Sequence, residues 1–256
     1  MDFLGDKEEY EKAKEVLDKG LQSLGKRKNA PGSVCDPGFS ETLMELMNLV
    51  LERNEFINLT TITEPVEFAT LHLLDSLAPV GLPELDSSNE IIDVGSGPGF
   101  PGLPLAVLYP EKRFLLIDSL KKRTEFIEYA IKELNLKNAE AKHLRVENAG
   151  KEYRYRESFD LSLCRAVGKL PVVLEYCMPL VRVGGAGIFY KTVPAKGEIE
   201  DSLLARELLG CEKEVRIETY KDILPGRDHA LYIVRKSRPT PKQYPRREGI
   251  PQKVPL

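Results

Sequence analysis

A doubly wound α/β sheet with a nucleotide-binding end is the fold class that this 256-residue sequence predicts. Three observations carry it. Glu90-Ile91-Ile92-Asp93-Val94 reads as a buried strand, and Gly95, Gly97, Gly99 and Gly102 follow within eight residues. Glycine admits positive φ and lets the backbone come close to a ligand, and a helix can start at Pro101 because proline is tolerated in a first turn. A second apolar run, Arg113-Phe114-Leu115-Leu116-Ile117-Asp118, also ends in an acid. Asp118 stands 23 positions after Gly95 (118 − 95), near the spacing at which an acid meets ribose hydroxyls in this architecture. Further short apolar runs then alternate with helical patterns as far as residue 209, the signature of a parallel sheet. The plainer alternative makes the glycines a tight turn and Asp118 a cap for the helix from Lys121.

The elements follow in order. Residues 6–26 form an amphipathic helix with Val16, Leu17, Leu21 and Leu24 on one side. Asn29-Ala30-Pro31-Gly32 and Asp36-Pro37-Gly38 mark a loop. Ser40 is a plausible N-cap for a helix to about Asn54, with Leu43, Leu46, Met47, Val50 and Leu51 as its stripe. A turn-rich link leads to a helix from Pro65 to about Val80, stopped by Gly81-Leu82-Pro83. After the first strand come a short helix (101–109), the second strand, a long helix (121–134) and strands near 139–143, 160–164 and 186–191. Helices near 170–182 and 197–209 separate the later strands. Residues 215–220 and 231–235 read as two strands with no long helix between them, only a loop at Pro225-Gly226. Three segments result: a helical extension over 1–88, the α/β domain over 89–238, and a basic, Pro-rich, irregular tail over 239–256 that packs on the surface.

Composition narrows the function classes. Hydrophobic residues make up 42% of the chain, enough for a core, and no run nears the roughly 18 apolar residues of a membrane span. The acidic start, Met1 to Asp6, lacks the layout of a signal peptide. Four cysteines, at 35, 164, 177 and 211, form no CxxC pair, so neither zinc nor a disulfide framework is indicated. Core packing and a reducing cytoplasm are the expectation. The net charge of −3 gives no overall support for nucleic-acid binding. Its distribution is uneven, however: residues 235–256 hold seven basic side chains against the single acid Glu248. A solvated tail and an RNA-binding tail remain open on charge alone.

A parallel sheet closed by an antiparallel hairpin is expected of class I methyltransferases rather than of dehydrogenases, and particular stretches point to one family. Asn58-Leu59-Thr60-Thr61-Ile62, His72-Leu73-Leu74-Asp75-Ser76-Leu77, Asp93 to Pro104 and Asp118-Ser119-Leu120-Lys121-Lys122-Arg123 are four of them. Arg145-Val146-Glu147, Cys164-Arg165-Ala166 and Tyr244 to Pro251 complete the set. From about residue 40 to its end the chain resembles the bacterial 16S rRNA guanine-N7 methyltransferases of the RsmG (GidB) family.

The resemblance implies a class I, Rossmann-like fold with a seven-stranded, mostly parallel sheet, and S-adenosylmethionine as methyl donor. It implies that Gly95 and Phe100 line the cofactor pocket, that Gly97 and Gly99 shape the loop, and that Asp118 holds the ribose. Val146 and Glu147 would flank the adenine, and Arg165 would stand between cofactor and substrate. The implied substrate is one guanine in the decoding-region loop of 16S rRNA, presented as rRNA or small ribosomal subunit to a monomeric enzyme. Before the last strand the family shows an Arg-His pair, whereas Pro225 to Leu231 here offers Arg227 or His229 for the substrate-side role.

Guanine N7 carries an in-plane lone pair and no proton, so methylating it needs alignment and electrostatics rather than a general base. N7 must stay free, and an arginine is then best spent on O6 and phosphates. Arg145 and Arg165 are the candidates for catalysis, with Lys191 as a third cation; for Arg145 an ordinary surface salt bridge is the alternative. RNA contact is assigned to Lys121, Lys122, Arg123 and Lys191, to Arg227 and His229, and to the tail's Lys242, Arg246 and Arg247. His72 is either a satisfied structural histidine or a cofactor-proximal group, and His143 is structural. Two competing readings are an NAD-linked oxidoreductase, which leaves the closing hairpin unexplained, and a cofactor-binding protein without catalysis.

Overall fold

The computed structural model describes residues 7–192 and 197–256. Helix α1 (Lys7–Leu24) buries Ala13, Leu17, Leu21 and Leu24, as its spacing requires; the acidic leader and the expected start at Asp6 lie outside the described residues. Helix α2 (Pro37–Asn54) begins three residues before the expected cap. Asp36 takes the N-cap position, Pro37 fixes the first turn, and Ser40 instead donates to Asp18 Oδ1 at 2.5 Å, tying α2 to α1. The third helix departs further. Helix α3 (Pro65–Phe68) is capped by the Glu64 carboxylate, which accepts from the Val66 and Glu67 N–H groups. It then widens into a π-helix, Ala69–Leu74, and regular helix stops at Ser76 rather than near Val80. A short α4 (Pro83–Asp86) leads into the sheet.

The sheet is built from β1 (Glu90–Val94), β2 (Arg113–Asp118), β3 (Ala139–His143), β4 (Phe159–Arg165), β5 (Val181–Thr192), β6 (Arg216–Thr219) and β7 (His229–Arg235), in the order β3-β2-β1-β4-β5-β7-β6. The first five strands pair in parallel, and β7 enters antiparallel between β5 and β6. Chain direction across the sheet reverses between β1 and β4, and ligands of such sheets bind in the crevice at the carboxyl ends of the strands flanking that point. Strand β5 starts five residues earlier than the sequence suggests, at Val181, with a register shift opposite Phe159 and Leu161. Helices α5 (Gly102–Leu108), α6 (Lys121–Glu133), α7 (Val146–Ala149), α8 (Leu170–Cys177), α9 (Glu198–Asp201) and α10 (Leu203–Leu208) join the strands.

Alternate strand residues point to opposite faces. Ile91, Leu161, Leu163 and Ile188 share one apolar cluster with Leu17, Leu43, Phe68 and Leu77 of the N-terminal extension. Ile92, Val94, Cys164 and Phe189 join the other, under Leu170 and Leu174 of α8. The helical extension is therefore the cover of one sheet face. Three cysteines are buried as expected, but Cys35 is exposed, because it closes a 3₁₀ turn (Gly32–Cys35) in the loop before α2.

The tail packs on the surface and is firmly held. The buried Lys236 ammonium donates to the carbonyls of Met178 (2.6 Å) and Val181 (3.2 Å) and to Thr240 Oγ1 (2.6 Å). Arg156 donates to the carbonyls of Thr240 and Tyr244. The tail is also less irregular than expected, since it ends in a helical turn, α11 (Ile250–Lys253).

Candidate active site

At the carboxyl end of β1 the chain enters its glycine turn, where Gly95, Gly97 and Gly99 have φ of 71°, 57° and 98°. A Cβ on Gly95 would meet Val167 Cγ2 at 2.6 Å, and one on Gly99 would meet Leu103 Cδ1 at 2.3 Å; at Gly97 it would point into open space. Backbone conformation favours glycine at all three positions, and at two of them a Cβ would also crowd a side chain. Asp118 holds the turn from the next strand: Oδ2 accepts the Gly97 N–H (3.0 Å) and Oδ1 the Leu120 N–H (2.8 Å). A carboxylate has about four lone-pair positions, so two remain for hydroxyls. Asp93, fully buried beneath the turn, accepts the Gly102 N–H at the start of α5 (2.8 Å), and burial pushes its carboxyl up to about 7.

Two cavities meet at this turn. The larger, about 750 Å³, opens between the glycine turn, the end of β4 and the start of β7. The smaller, about 170 Å³, lies over the ends of β2 and β3 and is walled by Val94, Ile117, Leu144, Val146 and Val167. Gly95, Asp118, Ser119 and Val167 line both.

Arg165, at the end of β4, is fixed on the larger cavity's wall by the N-terminal helices. Its NH1 donates to the Leu71 carbonyl (3.0 Å) and Asp75 Oδ2 (2.8 Å), and its NH2 to His72 Nδ1 (3.2 Å). Three of the five guanidinium N–H donors are spent in this way. The remaining two have no hydrogen-bond partner among the described residues, and Arg165 lines the larger cavity. Phe100 packs between these groups: the His72 ring stacks on it at 4.9 Å with 4° between planes, and the Arg165 guanidinium lies 5.6 Å from its centroid.

Asp75 is the common partner. Its Oδ1 accepts from Tyr220 Oη (2.8 Å) and His229 Nδ1 (3.0 Å). Burial alone would raise this carboxyl, but the bonds from His229, Arg165 and Tyr220 and the arginine charge outweigh it and hold it below the usual range. His72 is pushed down to about 3, first by burial and then by the Arg165 charge, with Asp75 opposing. Since Arg165 only donates, Nδ1 of the neutral ring is bare and Nε2–H donates to Thr60 Oγ1 (2.7 Å). Asp75, Tyr220 and Thr60 were not singled out for the site from sequence, although Thr60 and Asp75 lie in stretches that carried the resemblance. His72 has both ring nitrogens hydrogen-bonded, as the structural reading requires, and it also lines the larger cavity. His143, at the end of β3, meets the Ser119 carbonyl (3.0 Å).

The smaller cavity is bounded by Arg145, Val146 and Glu147, but two of these side chains face the tail. Glu147 is buried and its Oε1 accepts the Gly249 N–H (3.0 Å); Arg145 Nε lies 3.6 Å from Glu248 Oε2. Asn148 Nδ2 also donates to Glu248 (2.8 Å). One tail residue, Gln252, reaches the cavity wall.

The cations expected on RNA divide. Lys121 and Lys122 are exposed in the first turn of α6, with Arg123 beside them, 3.6 Å from Asp118. Three cations at a helix N-terminus oppose the macrodipole, an effect offset in part by the Lys121–Glu125 pair (3.5 Å). Arg247 is exposed. Arg227 stands at the cavity rim, 3.5 Å from Glu67, and His229 deeper, on Asp75. Two of these cations have partners within the fold, Lys191 while also lining the larger cavity. Lys191 is tied to Glu198 (2.5 Å) and the Gly168 carbonyl (2.7 Å), because β5 delivers its side chain to the start of α8. Arg246 forms a forked pair with the fully buried Glu175 (2.9 and 2.6 Å), so its charge is consumed inside the fold.

Among the described residues no cluster of metal-ligating side chains is present, and no helix is long and apolar enough to cross a membrane. A family model described as rRNA small subunit methyltransferase G matches residues 40–220. Curated relatives called ribosomal RNA small subunit methyltransferase G share the chain's sequence over most of both lengths. The one from Alkaliphilus metalliredigens is 39% identical over 95% of this chain and 99% of its own. That from Macrococcus caseolyticus is 42% identical over 81% and 86%. Among solved structures, the apo form of the S-adenosylmethionine-dependent methyltransferase SibL matches with a TM-score of 0.53, at 14% identity, over 88% of this chain and 74% of that one.

Proposed function

The chain belongs to the rRNA small subunit methyltransferase G family, and from that premise we propose that it methylates N7 of one guanine in the decoding-region loop of 16S rRNA, forming 7-methylguanosine. It is a methyltransferase with the class I, Rossmann-like fold. S-adenosylmethionine, when bound, supplies a methyl group on a sulfonium, ready for in-line displacement.

The cavities fit such a group. Gly97 leaves open space where backbone must face a ligand, and Asp118 keeps acceptor positions for ribose hydroxyls. The smaller cavity's apolar walls suit a flat purine. The larger cavity leaves room for the methionyl part and a target base, which must leave its stack to enter. Two N–H groups of Arg165 are free to meet guanine O6 or an adjacent phosphate, leaving N7 for the methyl.

The observation that carries the choice of a proton-free acceptor is the state of Asp75 and His72. Both face the larger cavity, and both are locked as hydrogen-bond acceptors for Arg165 and held as weak bases. Chemistry that had to remove a proton would gain nothing from either; alignment at N7 needs neither. Lys121, Lys122, Arg123, Arg227 and Arg247 would position the RNA through its phosphates. The same reading makes the chain a cytoplasmic monomer acting on rRNA or the small ribosomal subunit.

Labelled S-adenosylmethionine, incubated with small subunits from a strain lacking its own enzyme, tests this directly. Label should appear in 7-methylguanosine at one site by nuclease digestion and mass spectrometry, and Arg165→Ala should lower transfer on the order of 100-fold. Label in any other modified base would overturn the acceptor atom; no transfer to any rRNA preparation would overturn the substrate.

A further inference from the structure

The smaller cavity has one wall that comes from the far end of the chain, and it is secured with more bonds than a passing tail needs. Glu147 accepts the Gly249 N–H, Asn148 donates to Glu248, and Arg246 is forked onto Glu175 while also donating to the Val254 carbonyl (2.8 Å). Pro245 packs so closely on Gly150 that a Cβ there would meet its Cγ at 2.7 Å. These anchors stand on both sides of α11, whose exposed Gln252 borders the cavity. Gln252, on that turn, is the tail's contribution to the lining.

Chemistry then assigns it a task. Apolar side chains can sandwich a purine but cannot tell adenine from another base; that takes donors and acceptors at the ring edge. Glu147, the acid that the family resemblance places beside the purine, accepts the Gly249 N–H at Oε1 and keeps Oε2. Gln252 bears an amide with both donor and acceptor and has no hydrogen bond to the described residues. A carboxamide meets the adenine edge in complementary fashion, its oxygen accepting from the 6-amino group.

We propose that Gln252 is a specificity-determining residue for the cofactor, accepting a hydrogen bond from the adenine 6-amino group, and that the C-terminal tail is held in place to deliver it. The proposal rests on the S-adenosylmethionine reading above.

The test is a two-by-two binding cycle by titration calorimetry. It uses the full-length wild type and Gln252→Leu with S-adenosylhomocysteine and with its analogue lacking the 6-amino group. The wild type should prefer the adenine compound by roughly 5-fold, the worth of one net hydrogen bond. In Gln252→Leu that preference should vanish, through loss of affinity for the adenine compound alone. Gln252→Glu, which keeps an acceptor and the shape, should retain the preference. Equal weakening of both compounds in Gln252→Leu would mark a merely structural tail and overturn the proposal, as would a wild type that does not discriminate. A wild type that binds neither compound would instead overturn the cofactor reading itself.

Discussion

Asp75 accepts hydrogen bonds from three side chains, Arg165, Tyr220 and His229, that lie 90, 145 and 154 positions further along the chain. No local pattern signals such a meeting, which is why the glycine turn and Asp118 were legible in the sequence and this cluster was not. The turn is written in consecutive residues whose backbone demands are local; the cluster exists only once β4, β7 and the extension share one sheet face. His72 gives the cluster a measurable signature. Folded, the ring refuses a proton until about pH 3, whereas an unfolded histidine takes one near 6.5. Its folded value is depressed, so the stability it contributes is complete above pH 6.5 and is lost as the pH falls toward 3. Urea unfolding at pH 7.5 and pH 5 should show the wild type losing up to about 2 kcal/mol more than His72→Gln over that interval. An identical loss in both proteins would mean that His72 is not held neutral.

Among elements, the π-helix of Ala69–Leu74 decides where these groups point. A π-turn holds one residue more than an α-turn, and such turns cluster at functional sites. Here the widening brings the Leu71 carbonyl, His72 and Asp75 onto Arg165 together. Deleting Thr70 should restore α-helical winding and displace the Leu71 carbonyl and the His72 ring from Arg165. Turnover should fall on the order of 100-fold, with S-adenosylhomocysteine affinity changed much less, because Gly97, Asp118 and Val146 lie elsewhere. Equal losses in both would show that the element builds the cofactor site instead. The tail carries the opposite lesson about legibility. Its excess of basic residues was plain in the sequence, but charge counts cannot reveal a buried partner 71 residues away. Arg246→Ala should therefore cost about 3 kcal/mol by stranding the Glu175 carboxylate. Arg247→Glu should leave stability within about 0.5 kcal/mol while weakening binding to small-subunit rRNA.

At the scale of the whole molecule, the extension and the sheet share one apolar cluster, from Leu17 and Leu43 through Phe68 to Leu163 and Ile188. A chain beginning at residue 89 would expose that face of β1, β4 and β5. It should be recovered aggregated, or as a compact state that binds hydrophobic dye and lacks sharp side-chain NMR signals. A soluble fragment with native dispersion would show the α/β part to be an independent unit. The sequence supports a boundary at this point through Gly81, Pro83 and polar residues 86–89, and it predicts the strand order's antiparallel close. It does not reveal that the extension is half of the core, because amphipathic helices record that they have a buried side and not what they bury it against.

The position of Asp75 also orders events in time. On a chain made from its N-terminus, the π-turn and the glycine turn emerge early, and Arg165 follows. The carboxylate then waits for Tyr220 and His229, supplied only when β7 slides between β5 and β6. A nascent protein halted before residue 229 would hold the glycine turn and Arg165 but not the full set of bonds on Asp75. The last strand to be synthesised is the one that completes that wall of the cavity.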